Sequence, residues 1–182
     1  MQENFLFHGQ NLNFMVSPGV FAQYGLDYGS KYLLETITLP KSGLVLDLGC
    51  GCGVIGLSIA STCPDLHVYL VDSDIRSIRL TKQNAELNGI TNVTILLSDV
   101  ISDLPPQTKF SLVISNPPTH QGSEVVYQFI RGAKTCLQNL GEAYFVVNRL
   151  TSVMNKLELE FGNAQKIGRR QGYIVFKAIK NE

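Results

Sequence analysis

Ser115-Asn116-Pro117-Pro118 closes the apolar run Phe110-Ser111-Leu112-Val113-Ile114, downstream of the glycine-rich stretch Asp47-Leu48-Gly49-Cys50-Gly51-Cys52-Gly53. An Asn followed by two prolines at a strand end makes a rigid acceptor corner, because proline fixes φ and cannot continue a ladder. Its acceptors are the Asn116 side-chain oxygen and the Pro117 carbonyl. They suit an exocyclic amine or amide nitrogen, whose lone pair is delocalised and whose hydrogens need fixed partners. Holding those hydrogens turns the lone pair toward an electrophile, so catalysis would come from orientation rather than from a strong base. The bland alternative is a proline turn with Asn116 as a polar cap. His120 either meets the substrate as a contact or proton relay, or is a surface residue of the loop.

Gly49, Gly51 and Gly53 allow a sharp turn and close approach to a ligand, since no Cβ obstructs positive φ. Dinucleotide-binding loops share that need. There a pyrophosphate sits on the following helix N-terminus and an acid about 20 residues on, here Asp72, binds ribose hydroxyls. Asp47 argues for a different ligand. A carboxylate at this strand end disfavours pyrophosphate and favours a cation such as an ammonium or sulfonium, which points to S-adenosyl-L-methionine. Otherwise Asp47 caps local backbone amides, as Asp does in turns. Asp72 has a capping alternative too, although Asp74 is better placed to cap the next helix. Ser98-Asp99 sets a third carboxylate at the next strand end, where it can accept from an adenine amino group or stand exposed in a turn.

These residues need a scaffold that brings strand ends together. Apolar runs and periodicity predict strands over 44–46, 67–71, 93–97, 110–114 and 143–147. Between them lie helices over 54–60, over 74–87 with Gly89 closing it, and through Val125, Val126, Phe129, Ile130, Ala133 and Leu137. A helix over 152–160 precedes two strands, 164–167 and 173–178, joined by a turn at 168–172. Such alternation predicts a mainly parallel sheet covered on both faces, with right-handed crossovers. The last strand runs antiparallel to its predecessor. If the first and fourth strands are neighbours where strand order reverses, the glycine loop and Asn116 line one crevice. In residues 1–40, Tyr32, Leu33, Leu34 and Ile37 before Pro40 predict one helix, and 18–29 a structured loop.

A chain of 182 residues is expected to form one domain with a single core. Lys and Arg total 15 and Asp and Glu 15, so the molecule has no general attraction for polyanions and nucleic-acid contact must come from a local patch. Lys166, Arg169 and Arg170 are either one such patch or a solvated face, and the same holds for Arg76, Arg79 and Lys82. Cys50, Cys52, Cys63 and Cys136 lack the paired spacing of a zinc ribbon, and no metal is expected. With no leader and no run of membrane-spanning length, a soluble cytoplasmic protein is expected. No feature sets an oligomeric state.

Several segments together carry a family resemblance. They are Gly19-Val20-Phe21 with Leu26-Asp27-Tyr28-Gly29-Ser30, the stretch Val45-Leu46-Asp47-Leu48-Gly49-Cys50-Gly51, Asn84-Ala85-Glu86-Leu87-Asn88-Gly89, Ser98-Asp99-Val100, and Ser115-Asn116-Pro117-Pro118. Across essentially its whole length the chain resembles class I S-adenosylmethionine-dependent methyltransferases. It is most similar to the small-domain branch that includes ribosomal small-subunit RNA guanine-N2 methyltransferases and their compact archaeal relatives. Phe161-Gly162-Asn163 and Gly172-Tyr173-Ile174-Val175 match those relatives as well.

The resemblance implies an α/β Rossmann-like three-layer sandwich with a seven-stranded, mostly parallel sheet whose last strand is antiparallel. Residues 1–40 become an N-terminal lid and helix segment, and 41–182 the cofactor-binding core. Asp47, Gly49 and Gly51 fall near the methionine part, Asp72 on the ribose, and Ser98 and Asp99 at the adenine. Phe21, Asp27 and Gly29 belong to a lid over the cofactor and bind it, while Asn116, Pro117 and Pro118 form the reacting corner, where Asn116 also meets the cofactor. Thr119 stands where many members carry an aromatic residue that stacks on a flat target; Thr119, His120, Arg169 and Arg170 fall on the substrate side. The implied activity is N-methylation, first of guanine N2 in RNA, ribosomal before transfer RNA. A protein glutamine amide is the alternative substrate, and a cofactor-binding module without catalysis a further alternative. A nicotinamide-dependent dehydrogenase is disfavoured by Asp47 and has no use for Asn-Pro-Pro.

Overall fold

The computed structural model describes residues 1–17, 19, 27–148 and 152–181. A hairpin of β1 (Gln2–Phe7) and β2 (Gln10–Met15) precedes α1 (Tyr28–Thr36). Then follow β3 (Gly43–Leu48), α2 (Val54–Thr62), β4 (Leu66–Asp72), α3 (Ile75–Leu87), β5 (Val93–Leu97) and β6 (Phe110–Ser115). A 3-10 turn (Thr119–Gln121) leads into α4 (Ser123–Cys136), β7 (Leu137–Asn148), α5 (Ser152–Phe161), β8 (Gln165–Arg170) and β9 (Tyr173–Ile179).

Strands β3 to β9 form one seven-stranded sheet in the order β5-β4-β3-β6-β7-β9-β8. The pairs β3·β4, β4·β5, β3·β6 and β6·β7 are parallel, while β9 is antiparallel to both β7 and β8. Strand order reverses at β3, so a crevice opens at the carboxyl ends of β3 and β6. This is the expected Rossmann-like three-layer sandwich. Residues alternate along each strand between the two faces. Val45 joins the core beneath α1, α2 and α3, and Leu46 and Leu48 join the core beneath α4 and α5. Burying a side chain such as Leu33, Leu57 or Ile130 in these layers stabilises the fold by roughly 1.5–3 kcal/mol each.

α3 shows why its boundaries are legible from local residues. Asp74 is its N-cap and accepts from Arg76 N at 2.8 Å. At the other end Gly89, at φ 64°, follows the C-cap Asn88. Gly89 N donates to Glu86 O and Ile90 N to Ala85 O, the two bonds of a Schellman ending.

β7 begins earlier than the sequence suggests. Phe110 pairs with Leu137 but Leu112 with Glu142, so the chain from 138 to 141 bulges before regular pairing resumes beyond Gly141.

The hairpin is the element absent from the sequence reading of residues 1–40. Phe7, Leu12 and Phe14 are buried and Phe5 packs against them, so the period-2 signal was present. His8 and Gly9 turn the chain with φ 46° and 83°. Two helical carboxamides, one turn apart on α3, hold β2 against it. Asn84 Oδ1 accepts from Met15 N at 2.7 Å while its Nδ2 donates to Met15 O at 3.0 Å. Asn88 Oδ1 accepts from Asn13 N and its Nδ2 donates to Asn13 O, both at 2.8 Å. No helix among the described residues is long and apolar enough to cross a membrane.

Candidate active site

Asp47 lies on the α2 side of β3 with 1% of its surface exposed. The helix needs it there. Gly53, the N-cap at φ 85°, has no side chain to cap α2, and a helix start leaves its first N–H groups unpaired. Asp47 fills that role: Gly56 N donates to its Oδ2 at 2.8 Å. A Cβ on Gly56 would come 2.6 Å from Leu70 Cδ2 and 3.0 Å from Asp47 Oδ2, so glycine lets the helix reach the carboxylate. Asp47 Oδ1 is buried and has no partner among the described residues. Burial raises the Asp47 pKa to about 7, with the Gly56 amide opposing and nearby Asp72 adding to the rise.

The glycine loop is tied down from beneath. Gly49 N and Cys50 N both donate to Val71 O at 2.9 Å, and Gly51 N donates to Asp72 Oδ2 at 2.9 Å. Thr81 Oγ1 donates to Gly51 O, and Asn84 Nδ2, already clasping β2, donates to Cys52 O. Cys50 and Cys52 are buried here as small side chains. Gly49, at φ 77°, sits where a Cβ would come 2.7 Å from Phe129 Cε1, which brings α4 against the loop. Asp72 Oδ1 accepts from Asp74 N at 2.9 Å. Burial raises the Asp72 pKa, and the two amides work against that rise.

At the end of β5, Ser98 is buried: its N donates to Asp72 O, and its hydroxyl donates to Val100 O and accepts from Asp103 N. Asp99 is exposed, and its carboxylate has no hydrogen bond among the described residues. The three acids occupy successive strand ends, as the sequence spacing suggests.

Across the crevice, Ser115 Oγ donates to Leu48 O at 2.7 Å and ties the end of β6 to β3. Asn116 is 7% exposed. Its Nδ2 donates to Asp27 Oδ2 at 2.6 Å and to Ser30 Oγ at 3.0 Å. An ionised carboxylate only accepts, so the carboxamide must face Asp27 through nitrogen and keep Oδ1 for another donor. Pro117 is buried, and its carbonyl has no partner among the described residues. Pro118 O is taken by Gln121 N in the 3-10 turn. Thr119 is half-buried and His120 exposed.

Other predicted residues are placed as follows. Asp27 caps α1 and accepts from Ser30 N and Tyr173 Oη as well as from Asn116. Gly29 packs against Tyr173, whose Cε1 would stand 2.5 Å from a Cβ there. Phe21 lies outside the described residues. Arg170 pairs with Glu35 at 2.6 Å and stacks over Tyr32 at 4.8 Å, whereas Arg169 and Lys166 are exposed on edge strand β8. Arg76 is engaged by Asp74 at 2.6 Å. Sequence reasoning missed Ser30, Thr81, Asn84 and Tyr173 as site supports. Ser30 carried a signal, three residues after an Asp that precedes a helix; Tyr173 carried none, lying 146 residues from Asp27.

The arrangement fits S-adenosylmethionine. The partnerless buried oxygen of Asp47 suits an ammonium donor behind the loop. Each Asp72 oxygen receives one amide and Ser77 adds a side-chain hydrogen bond, an acceptor group that suits a ribose hydroxyl.

Residues 11–177 match the methyltransferase small domain family. YbxB, an uncharacterized protein of Bacillus subtilis, is 34% identical over 181 residues, 97% of this chain and 90% of that protein. The chain is also similar to the 16S rRNA N2 G1207 methyltransferase RsmC of Thermus thermophilus, solved in complex with AdoMet and guanosine. There the TM-score is 0.90 at 28% identity, and all of this chain spans 50% of that one. A methyltransferase from Pyrococcus furiosus shares the fold at 17% identity and TM-score 0.75, over 94% of this chain and 90% of that one. The chain belongs to the methyltransferase small domain family, within the class I S-adenosylmethionine-dependent methyltransferases.

Proposed function

We propose that the protein methylates guanine N2 in RNA, with ribosomal RNA the first candidate. The observation that carries this reading is the acceptor pair at the end of β6. Asn116 has both amide hydrogens committed to Asp27 and Ser30, which leaves Oδ1 for a substrate N–H. The Pro117 carbonyl supplies a second acceptor on a backbone that proline keeps rigid. An exocyclic amine has two hydrogens to give. Fixing both orients its lone pair; as the N–C bond would form and the sulfur–methyl bond break, the same two oxygens would stabilise the positive charge on nitrogen until one N–H proton is lost to water. S-adenosylmethionine, when bound, supplies an electrophilic methyl on sulfur. Asp47 and Asp72 would hold it, and Asp99 stands exposed beside them for the adenine amine.

The 0.90 TM-score to RsmC, a 16S rRNA N2 G1207 methyltransferase, supports this choice of nitrogen. Thr119 cannot stack on a base, so recognition in this reading rests on the base edge rather than its face. Arg169 and Lys166, exposed on β8, are available to phosphates, as are Arg79 and Lys82, exposed on α3.

Incubation with methyl-labelled S-adenosylmethionine and separate pools of ribosomal RNA, transfer RNA and protein tests the proposal. Label recovered as N2-methylguanosine from digested ribosomal RNA is expected. Label confined to protein, released as methylglutamine, would replace RNA by the amide alternative.

A further inference from the structure

Asp27 brings three elements to one point. It is the N-cap of α1, where Oδ2 accepts from Ser30 N at 2.9 Å, and the same oxygen accepts from Asn116 Nδ2 at 2.6 Å beyond β6. Oδ1 accepts from the Tyr173 hydroxyl at 2.9 Å at the start of β9. Ser30, itself 7% exposed, takes the second Asn116 hydrogen at 3.0 Å. Tyr173 is in turn seated against Gly29, where any Cβ would collide with its ring. Burial and the Asp27 carboxylate raise the pKa of Tyr173 to about 12, which keeps it a donor.

We propose that Asp27 is the positioning residue for Asn116, acting through the carboxamide on the amine it binds. This rests on the reading of Asn116 as the amine-binding residue. Two effects follow from one contact. The carboxylate dictates which end of the amide faces the substrate. It also draws on the amide N–H through a charge-assisted bond, which increases electron density on Oδ1. That oxygen meets a neutral amine before transfer and a cationic one during it, so the gain is greatest in the transition state and appears in kcat rather than KM.

Asp27→Asn separates this from a structural role. Asn is as good an N-cap as Asp, and the Tyr173 hydroxyl can reverse from donor to acceptor, so α1 and its contacts persist while the charge is gone. With the RNA pool that accepts label, kcat is expected to fall about tenfold or more, with KM and the S-adenosylmethionine Kd within about threefold of wild type. Asp27→Glu should recover part of the loss. The second readout needs no substrate: the Asn116 side-chain amide resonances, assigned in nitrogen-15 spectra with Asn116→Asp, should move upfield in Asp27→Asn. Resonances that ignore the substitution overturn the proposal, and so does an unchanged kcat. If no RNA pool accepts label, the spectra still decide the Asp27 contact, and the failure belongs to the substrate reading instead.

Discussion

Asp47→Asn exchanges a buried carboxylate for a neutral isostere and should remove one large contribution to the pH dependence of stability. The folded-state pKa of about 7 lies above the ordinary value of 3.8, so ionisation costs more in the folded protein than in the unfolded chain. Stability from this group is complete below about pH 4 and is lost as pH rises through about 7. At pH 5 the wild-type penalty amounts to about 2 kcal/mol, and at pH 8 to about 4 kcal/mol. The introduced carboxamide keeps the Gly56 contact through its oxygen but turns an NH2 into the position of the partnerless Oδ1. A buried donor without an acceptor costs about 1–3 kcal/mol. The variant should therefore nearly match wild type at pH 5 and exceed it by about 1–3 kcal/mol at pH 8. Urea denaturation at the two pH values measures this, and the shift between them does not depend on the cost of the donor. A stability difference that is the same at both pH values would refute the burial argument. The same carboxylate should make wild-type S-adenosylmethionine affinity rise as pH climbs through about 7, because an ammonium favours the ionised form; in Asp47→Asn the affinity should be lower and flat.

Asp72→Ala removes the acceptor for Gly51 N together with the carboxylate proposed for the ribose. Calorimetry should show S-adenosylmethionine binding weakened about tenfold or more, with turnover at saturating cofactor largely kept. Asn84→Ala leaves Met15 N, Met15 O and Cys52 O short of their partner, so urea melts should report a loss of about 2–4 kcal/mol. Hydrogen exchange at the β2 amides should accelerate in that variant before it does at the central strands.

The parts of the fold visible in the sequence are those written in neighbouring residues. Asp74 and Gly89 bracket α3 because capping uses groups within one helical turn. The acids at 47, 72 and 99 mark strand ends because each follows its own apolar run. The alternation of Leu12 and Phe14 in β2 is present but short, and what stabilises its backbone at Asn13 and Met15 comes from residues 75 and 69 positions away. Asp47 shows a subtler limit. Capping a loop and meeting a cation read as alternatives in sequence, yet one oxygen caps α2 while the other is left over. In sequence Asp27 reads as part of a lid, and its contacts to Asn116, Ser30 and Tyr173 are not legible there. No local pattern announces a contact that depends on how α1 and β9 meet over β6.

In the proposed reaction Asn116 acts on the substrate nitrogen, and its loss should leave the cofactor site intact. Asn116→Ala, assayed by single-turnover formation of N2-methylguanosine alongside S-adenosylmethionine calorimetry, tests it most directly. Transfer should slow about 100-fold or more, with cofactor affinity within about threefold of wild type. Transfer at the wild-type rate, or a collapse of cofactor binding, would contradict it.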